Sequence, residues 1–344
     1  MTSAARSIVL RSLAIYPLLL ALAACGNDLS QHDFSGDALG TSFTVSVVDR
    51  AAGLDFDELQ VDVLDALSAV DKLASTWRDD SELSTLNTDM SIDWIPVSAR
   101  LCELLKHSLE ISEITAGAFD PTVGPLVNLW GFGPNGQVSE PPSEADIVAT
   151  QHKVGYALLE VDCSERLVRK DVADVYVDLS GWAKGYAVDQ LANLLDDRGI
   201  ANYMVEIGGE LRVKGHNRKR NHWAIGIEAP STSERVPHAI VHVTNTSVAT
   251  SGDYRNYFEH EGQRFSHTID PRTGRPVTHK LAAVTVMDAS AAYADAMATG
   301  LLVLGPDNGP ELARELGVAA YFLVRDATGI REITTLDFDR LSTQ

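Results

Sequence analysis

VYVDLSGWAKGYAVDQL, residues 175–191, reads as an extended segment, a turn and a helix in immediate succession. The β-branched and aromatic start of the run suits a strand. Asp178 stands at its end, and Ser180-Gly181 make the turn. Lys184 then falls in the first helical turn, where unpaired N–H groups and the positive end of the helix dipole can face an anion. Gly181 and Gly185 permit close backbone approach. Two readings stay open for these residues alone: a cradle for an anionic ligand, or an ordinary strand-to-helix connection with a solvent lysine.

Working outward, TSFTVSVVD (41–49) alternates as a strand does. Residues 55–74 place Leu59, Val63, Leu67 and Val70 at helical spacing. Further helices are expected over 99–114, 183–197, 290–304 and 308–316. Strands are expected at 155–161, 166–171, 173–179, 203–207, 210–214, 223–228, 239–243, 248–250, 264–269, 282–287 and 318–325. Residues 138–147, with two prolines, read as a turn-rich link. Adjacent strands with only occasional helices predict an α+β fold of mostly antiparallel sheets with flanking helices, not a regular βαβ alternation.

The chain has 344 residues, 45% of them hydrophobic, and a formal net charge of −20. It is long enough for a large core, and its acidity excludes a nucleic-acid footprint. Any polyanionic ligand must be met by local cations, backbone N–H groups or a metal. Residues 1–24 read as a signal peptide: Arg6 and Arg11 precede an apolar run too short to span a bilayer, which ends in Leu22-Ala23-Ala24-Cys25. Small residues before a cysteine resemble a bacterial lipobox, with Cys25 as the lipidated first residue. The expected location is the bacterial cell envelope, as a periplasm-facing lipid-anchored protein. Residues 25–37 read as a polar tether, 38–335 as one domain and 336–344 as a tail. Cys102 and Cys163 fit either a disulfide or two buried thiols.

AYADAMATG (292–300) is a helical run of small residues that carries Asp295 and Thr299 one turn apart, on one face. A carboxylate and a hydroxyl are a partial oxygen shell for Mg2+. The alternative is Asp295 paired with a buried arginine and Thr299 bonded back to the carbonyl at 295. In FSHTIDPRTGRPV (265–277), His267 and Asp270 beside a rigid turn suit a general base or a structural histidine. Asp120-Pro-Thr-Val-Gly124 and Asp270-Pro-Arg-Thr-Gly274 share one turn pattern. Trp77 and the Gly117-Ala118-Phe119-Asp120 turn could line a pocket for a planar ligand. Gly131-Phe-Gly133-Pro-Asn-Gly136 spells a dinucleotide motif but lacks its strand and helix. His238 and His242 fall on a β-branched run, which is not a zinc helix.

Taken together and in order, these blocks resemble the ApbE family of FAD:protein FMN transferases. The blocks are Leu39-Gly-Thr, Ser75-Thr-Trp-Arg-x-x-Ser-Glu-Leu, Gly117-Ala-Phe-Asp, Asp178-Leu-Ser-Gly-Trp-Ala-Lys-Gly-Tyr, Glu206-Ile-Gly-Gly-Glu, Thr250-Ser-Gly-Asp-Tyr, Ser266-His-Thr-Ile-Asp-Pro-x-Thr-Gly and Ala294-Asp-Ala-Met-Ala-Thr-Gly. The resemblance implies a T-fold-like architecture, FAD as substrate, Mg2+ as cofactor, and transfer of FMN to a Thr or Ser hydroxyl of a target protein with release of AMP. It implies metal ligands at the Gly181 carbonyl, Asp295 and Thr299. Implied FAD contacts are Leu39, Trp77, Ala118, Phe119, Asp120, Asp178, Lys184, Ile269 and Ala298. Leu39 stands where the family usually has Met, which implies altered packing only. His267 is the expected base, with Asp270 orienting it or sharing the role. The implied partner is a periplasmic flavin-acceptor protein or domain with an exposed Thr or Ser. In this family acceptors are typically subunits of sodium-pumping NADH:quinone reductase, Rnf-type complexes or other periplasmic flavoprotein domains. Two alternatives use the same residues: hydrolysis of FAD to FMN and AMP, and non-enzymatic FAD binding by a periplasmic lipoprotein.

Overall fold

The computed structural model describes residues 29–49, 54–134, 136–230 and 236–342. Cys25 and the expected signal peptide, residues 1–24, lie outside the described residues. The chain opens with strands β1 (Ser30–Ala38) and β2 (Thr41–Asp49), then α1 (Phe56–Ala74), α2 (Glu82–Thr88), β3 (Ile95–Pro96) and α3 (Ala99–Ile114). Next come α4 (Gly124–Leu129), α5 (Glu144–Gln151), β4 (Leu159–Asp162), β5 (Leu167–Lys170) and α6 (Ser180–Asp197). A strand-rich stretch follows: β6 (Tyr203–Ile207), β7 (Glu210–Lys214), β8 (Trp223–Glu228), β9 (Pro237–Val243) and β10 (Thr246–Gly252). Short strands β11 (Tyr257–His260), β12 (Gln263–Ser266), β13 (Ile269–Asp270) and β14 (Arg275–Pro276) lead to β15 (Leu281–Asp288). The chain ends with α7 (Ala291–Leu316), β16 (Ala319–Asp326), β17 (Gly329–Thr334) and α8 (Leu336–Ser342).

The frame is one eight-stranded sheet in the order β1-β2-β6-β7-β10-β15-β16-β17. Each neighbouring pair in it is antiparallel. This is the α+β class expected from the sequence. Helices α6 and α7 cover one face, with α1 beside α6. On the other face Trp223, Ile225 and Ile227 of β8 pack with Leu211, Val213, Val248 and Leu323, and α8 adds Phe338. The middle of the large sheet is therefore buried on both sides, and β15, buried over seven consecutive residues, shows no alternation.

Local chemistry sets the helices. Asp55 caps α1 by accepting the N–H groups of Asp57 and Glu58, both at 3.1 Å. The apolar stripe Leu59, Val63, Leu67 and Val70 faces inward. The two helices expected at 290–304 and 308–316 form a continuous run, broken in dihedral angle at Gly305 (φ 83°) ahead of Pro306. Helix α6 crosses α7 so closely that a Cβ on Gly185 would sit 2.3 Å from the Ala291 carbonyl oxygen. Beyond that crossing Asp189 reaches the α7 N-terminus. Its Oδ1 accepts the Ala291 N–H (3.0 Å), and its Oδ2 accepts the Ala292 N–H (3.0 Å) and the Ser290 hydroxyl (2.8 Å). Arg212 completes the arrangement with a 2.9 Å bond to Oδ1.

Several expectations change. Residues 30–37 of the expected tether belong to β1, which pairs with β2 over nine residues. Its outward positions, Gln31, Asp33, Ser35 and Asp37, are polar, as suits an edge strand. Most of the expected tail is α8, held by Phe338 against Tyr321 (ring centroids 5.2 Å apart). The segment 173–179, expected as a strand, opens in a turn and joins no sheet. The side-chain amide of Asn87 takes the place of a neighbouring strand, accepting from the Val177 N–H (2.7 Å) and donating to its carbonyl (2.8 Å). The expected link at 138–147 contains the start of α5, capped by Ser143. Helix α4, not a strand, precedes Gly131, which removes the dinucleotide reading. Cys102 and Cys163 form a disulfide across a separation of 61 residues, tying α3 to the turn after β4.

Replacing Asp189 with Ala leaves two N–H groups, a hydroxyl and Arg212 without their acceptor. We expect a loss of about 3 kcal/mol in unfolding free energy, read as a lower urea midpoint at unchanged m-value.

Candidate active site

A cleft of about 1260 Å3 opens where the β1–β2 turn, the starts of α6 and α7, the end of β10 and the residues around β13 converge. Gly181, Asp295 and Thr299 all line it. A Cβ on Gly181 would lie 3.4 Å from the Thr299 Oγ1, so turn and helix face touch. Asp295 is 2% exposed, and its Oδ2 accepts the Gly185 N–H at 3.1 Å. Its charged neighbour is Lys184 (3.5 Å), not the arginine of the alternative reading. The Thr299 hydroxyl meets Ser251 Oγ at 2.9 Å. Among the described residues no group of three His, Cys, Asp or Glu side chains stands ready for a metal. What the cleft offers is a set of hard oxygens, one carboxylate among them, of the kind Mg2+ accepts beside substrate phosphates.

Leu39, Trp77, Ala118, Phe119, Asp120, Asp178, Lys184 and Ile269, for which the resemblance implied FAD contacts, also line the cleft. Leu39 sits in the β1–β2 turn at φ 52°, and Trp77 is 70% exposed at the rim. Asp178 Oδ1 accepts the Ser180 N–H (2.8 Å) and so fixes the turn into α6. The Asp120 carboxylate is occupied internally by the Thr122 N–H and hydroxyl (2.8 and 2.6 Å) and by the Tyr156 N–H (2.7 Å). Burial pushes its pKa up against those bonds. Ala298 departs from the expectation. It is fully buried in the helix core, because the face it shares is the one packed on the sheet, and it does not line the cleft.

His267 lines the cleft. Its Nδ1 lies 3.0 Å from the Asn256 carbonyl. A carbonyl only accepts, so Nδ1 carries the proton and Nε2 is left with a lone pair. Burial lowers the imidazole pKa, nearby Lys184 adds to that, and the Asn256 carbonyl pulls the other way. Asp270 does not orient it. Asp270 is clamped by Arg272 through two 2.9 Å bonds, and its side chain is not part of the cleft lining. The orienting group is the Asn256 main chain, which no side-chain pattern in the sequence could announce.

Glu210 and Ser251 went unassigned at the sequence level, although both stand inside quoted blocks. Glu210 is 3% exposed, with Oε1 3.6 Å from Lys184 Nζ and a buried Oε2 that finds no hydrogen-bond partner. The ammonium thus lies between two carboxylates. Gly208 (φ 63°) makes room for it: a Cβ there would be 2.9 Å from Thr41 and 3.3 Å from the Lys184 stem. Burial pushes the Glu210 carboxyl up, with Lys184 opposing and Asp295 adding. Burial alone would depress Lys184, but Asp295 and Glu210 outweigh it and raise its pKa. Lys184→Met strips both buried carboxylates of their cation, and we expect a loss of about 3 kcal/mol. Adding Glu210→Gln should recover part of that loss in the same unfolding measurement.

The ApbE family profile matches residues 39–322. A FAD:protein FMN transferase from Vibrio cholerae is 40% identical over 320 residues, covering 93% of this chain and 95% of that one. The solved flavin transferase ApbE from Vibrio cholerae superposes with a TM-score of 0.85 at 38% identity, over 91% of this chain and 99% of that chain. The crystal structure of the Pseudomonas stutzeri flavinyl transferase ApbE gives 0.84 at 40% identity, over 92% and 98%. Ordered motifs, an antiparallel sheet under paired helices and a cleft that collects the motif residues therefore agree with the profile: this chain belongs to the ApbE family.

Proposed function

We infer that this chain transfers FMN from FAD to a Thr or Ser hydroxyl of a target protein and releases AMP. The observation that carries the reading is the convergence in one cleft of Gly181, Asp295 and Thr299 with His267, whose Nδ1 is held by Asn256 so that Nε2 keeps its lone pair. Gly181, Asp295 and Thr299 would hold Mg2+, which when bound supplies charge neutralisation and Lewis acidity at a pyrophosphate. Lys184 adds a fixed positive charge beside them. Leu39, Phe119 and Ile269 offer apolar surface, and Trp77 a flat ring, to the aromatic ends of the dinucleotide. His267 Nε2 takes the proton of the acceptor hydroxyl. That oxygen attacks the FMN phosphorus, the phosphorus–oxygen bridge breaks, and AMP departs with the bridging oxygen.

The setting we propose is the periplasmic face of the cell envelope, with the acyl anchor on Cys25. The Cys102–Cys163 disulfide supports an oxidising compartment. Among the described residues no helix is long and apolar enough to cross a membrane.

The test is incubation with FAD, Mg2+ and a soluble acceptor domain bearing an exposed Ser/Thr-Gly-Ala-Thr-like segment, read as in-gel flavin fluorescence. Covalent labelling is expected with the acceptor present. Fast release of free FMN without acceptor would instead establish the hydrolase, and no turnover of either kind the binding protein. His267→Ala should leave FAD binding intact and slow transfer by about 100-fold or more. The base works in its neutral form and its pKa is depressed. Transfer should therefore hold steady as pH falls to about 6.5, the ordinary histidine value, and decline only below it. Asp295→Asn should abolish Mg2+ binding to the FAD-free protein in calorimetry as well as transfer.

A further inference from the structure

The cleft is large. At about 1260 Å3 it exceeds the range of about 300–1,000 Å3 usual for a small-molecule site. One wall is unlike the rest. Strand β8 contributes Ala224, Ile225, Gly226 and Glu228 to the lining, while its ladder partner β9 contributes none. Ile225 points into the core and is 7% exposed, whereas Ala224 and Gly226 are exposed on the opposite face. Residues of both orientations line the cleft, so the cleft meets the edge of β8 rather than one of its faces. Among the described residues β8 pairs with no strand but β9. In an antiparallel ribbon every second residue turns its N–H and C=O away from the partner strand. Those groups of β8 are therefore available at the cleft wall.

We propose that this edge is the docking site for the acceptor: an extended segment of the target protein adds to β8 by main-chain pairing and so delivers its hydroxyl to His267. The inference rests on the transferase reading, which requires a polypeptide hydroxyl in this cleft. Open edges are normally blunted by charge, proline or a covering element because they recruit other chains. Here the exposed positions are Ala224 and Gly226, which present neither bulk nor charge. At Gly226 a Cβ would meet only Pro237, at 3.4 Å, so the absent side chain is no packing necessity. The end of the strand is closed by Glu228, held by Tyr254 (3.2 Å) and Arg255. Main-chain pairing reads no side chain, so affinity would come from the backbone and selectivity from the space beside Ala224 and Gly226. That space fits a hydroxyl residue flanked by small side chains. His267 and Asn256 line the same cleft, which puts the base within the volume the added strand would enter.

The experiment uses the FAD- and Mg2+-loaded protein with the acceptor domain described above, its target threonine replaced by valine so that the complex cannot react. Hydrogen exchange is followed along β8 and β9. Saturating acceptor should slow amides within Ala224–Glu228 about tenfold or more and leave β9 unchanged. Ala224→Lys, the charge that natural edges use against pairing, should raise the acceptor KM about tenfold with FAD affinity within twofold of the parent. Unchanged β8 exchange in a saturated complex, or an unchanged acceptor KM in Ala224→Lys, overturns the proposal while leaving the transferase reading standing. A protein that binds FAD yet labels no acceptor overturns that reading, and this inference with it.

Discussion

The site depends on how α6 grips α7. The two helices run past each other so that contacts recur every four residues on each. Asp189 bonds the Ala291 N–H, the Gly185 N–H bonds Asp295, and Gly181 abuts Thr299. Four residues are about one helical turn, so these are three rungs of one ladder along a shared seam. The lowest rung is a cap, with a carboxylate on the positive end of α7. The middle rung is a close backbone approach that only glycine allows. The top rung, Gly181 against the Thr299 hydroxyl, opens into the cleft beside the Asp295 carboxylate of the middle rung. Geometry at the top is inherited from chemistry at the bottom: a helix free to slide or rotate would carry Asp295 and Thr299 away from Gly181.

The seam also explains how an acidic protein keeps the Asp295 carboxylate buried. Asp295 is neither left bare nor locked in a tight ion pair. Lys184 sits 3.5 Å from it and 3.6 Å from Glu210, both longer than the roughly 2.7–2.9 Å of a charge-assisted hydrogen bond. An ammonium shared in this way screens the pair without saturating either carboxylate. Glu210 comes from the sheet layer, at the start of β7, while Asp295 and Lys184 come from the helix layer. The Gly208 turn brings the two layers together. Charge balance in the cleft is thus a property of the packed layers and not of any one motif.

This division accounts for what could be read from the sequence. Asp295 and Thr299 were visible because helical spacing alone puts them on one face, and Lys184 because it follows a turn into a helix. The Gly181 turn was visible for the same local reason. Nonlocal chemistry was not. Nothing near 173–179 tells that Asn87, ninety residues away, will satisfy Val177 in place of a strand. Nothing in 265–277 tells that His267 takes its orientation from a main-chain carbonyl and that Asp270 is spent on Arg272. The β1 strand hid because its outward half is polar, and α8 because a single buried residue, Phe338, anchors it. Ala298, which the resemblance implied as a FAD contact, lies one step from Thr299, and one step along a helix turns a side chain about 100°, here into the core.

The two chemical halves of the cleft are carried by different parts of the fold, and that separation has a mechanical consequence. Gly181, Asp295 and Thr299 belong to the α6–α7 seam. His267 belongs to the segment after β10, where the Asn256 carbonyl accepts from both its main-chain N–H and its ring, at 3.0 Å each. Strand β10 joins them, since Ser251 touches Thr299 while the chain runs on through Gly252 to Asn256. That strand is held on one side by β7, the strand that carries Glu210, and on the other by β15, whose far end leads into α7. The spacing between the two walls is therefore set by covalent and ladder connections, β7 to β10 to β15 to α7, and not by direct contact between His267 and the seam residues. A rigid sheet can fix two walls while the space between them stays empty, which a cleft meant to admit both a dinucleotide and a second polypeptide requires.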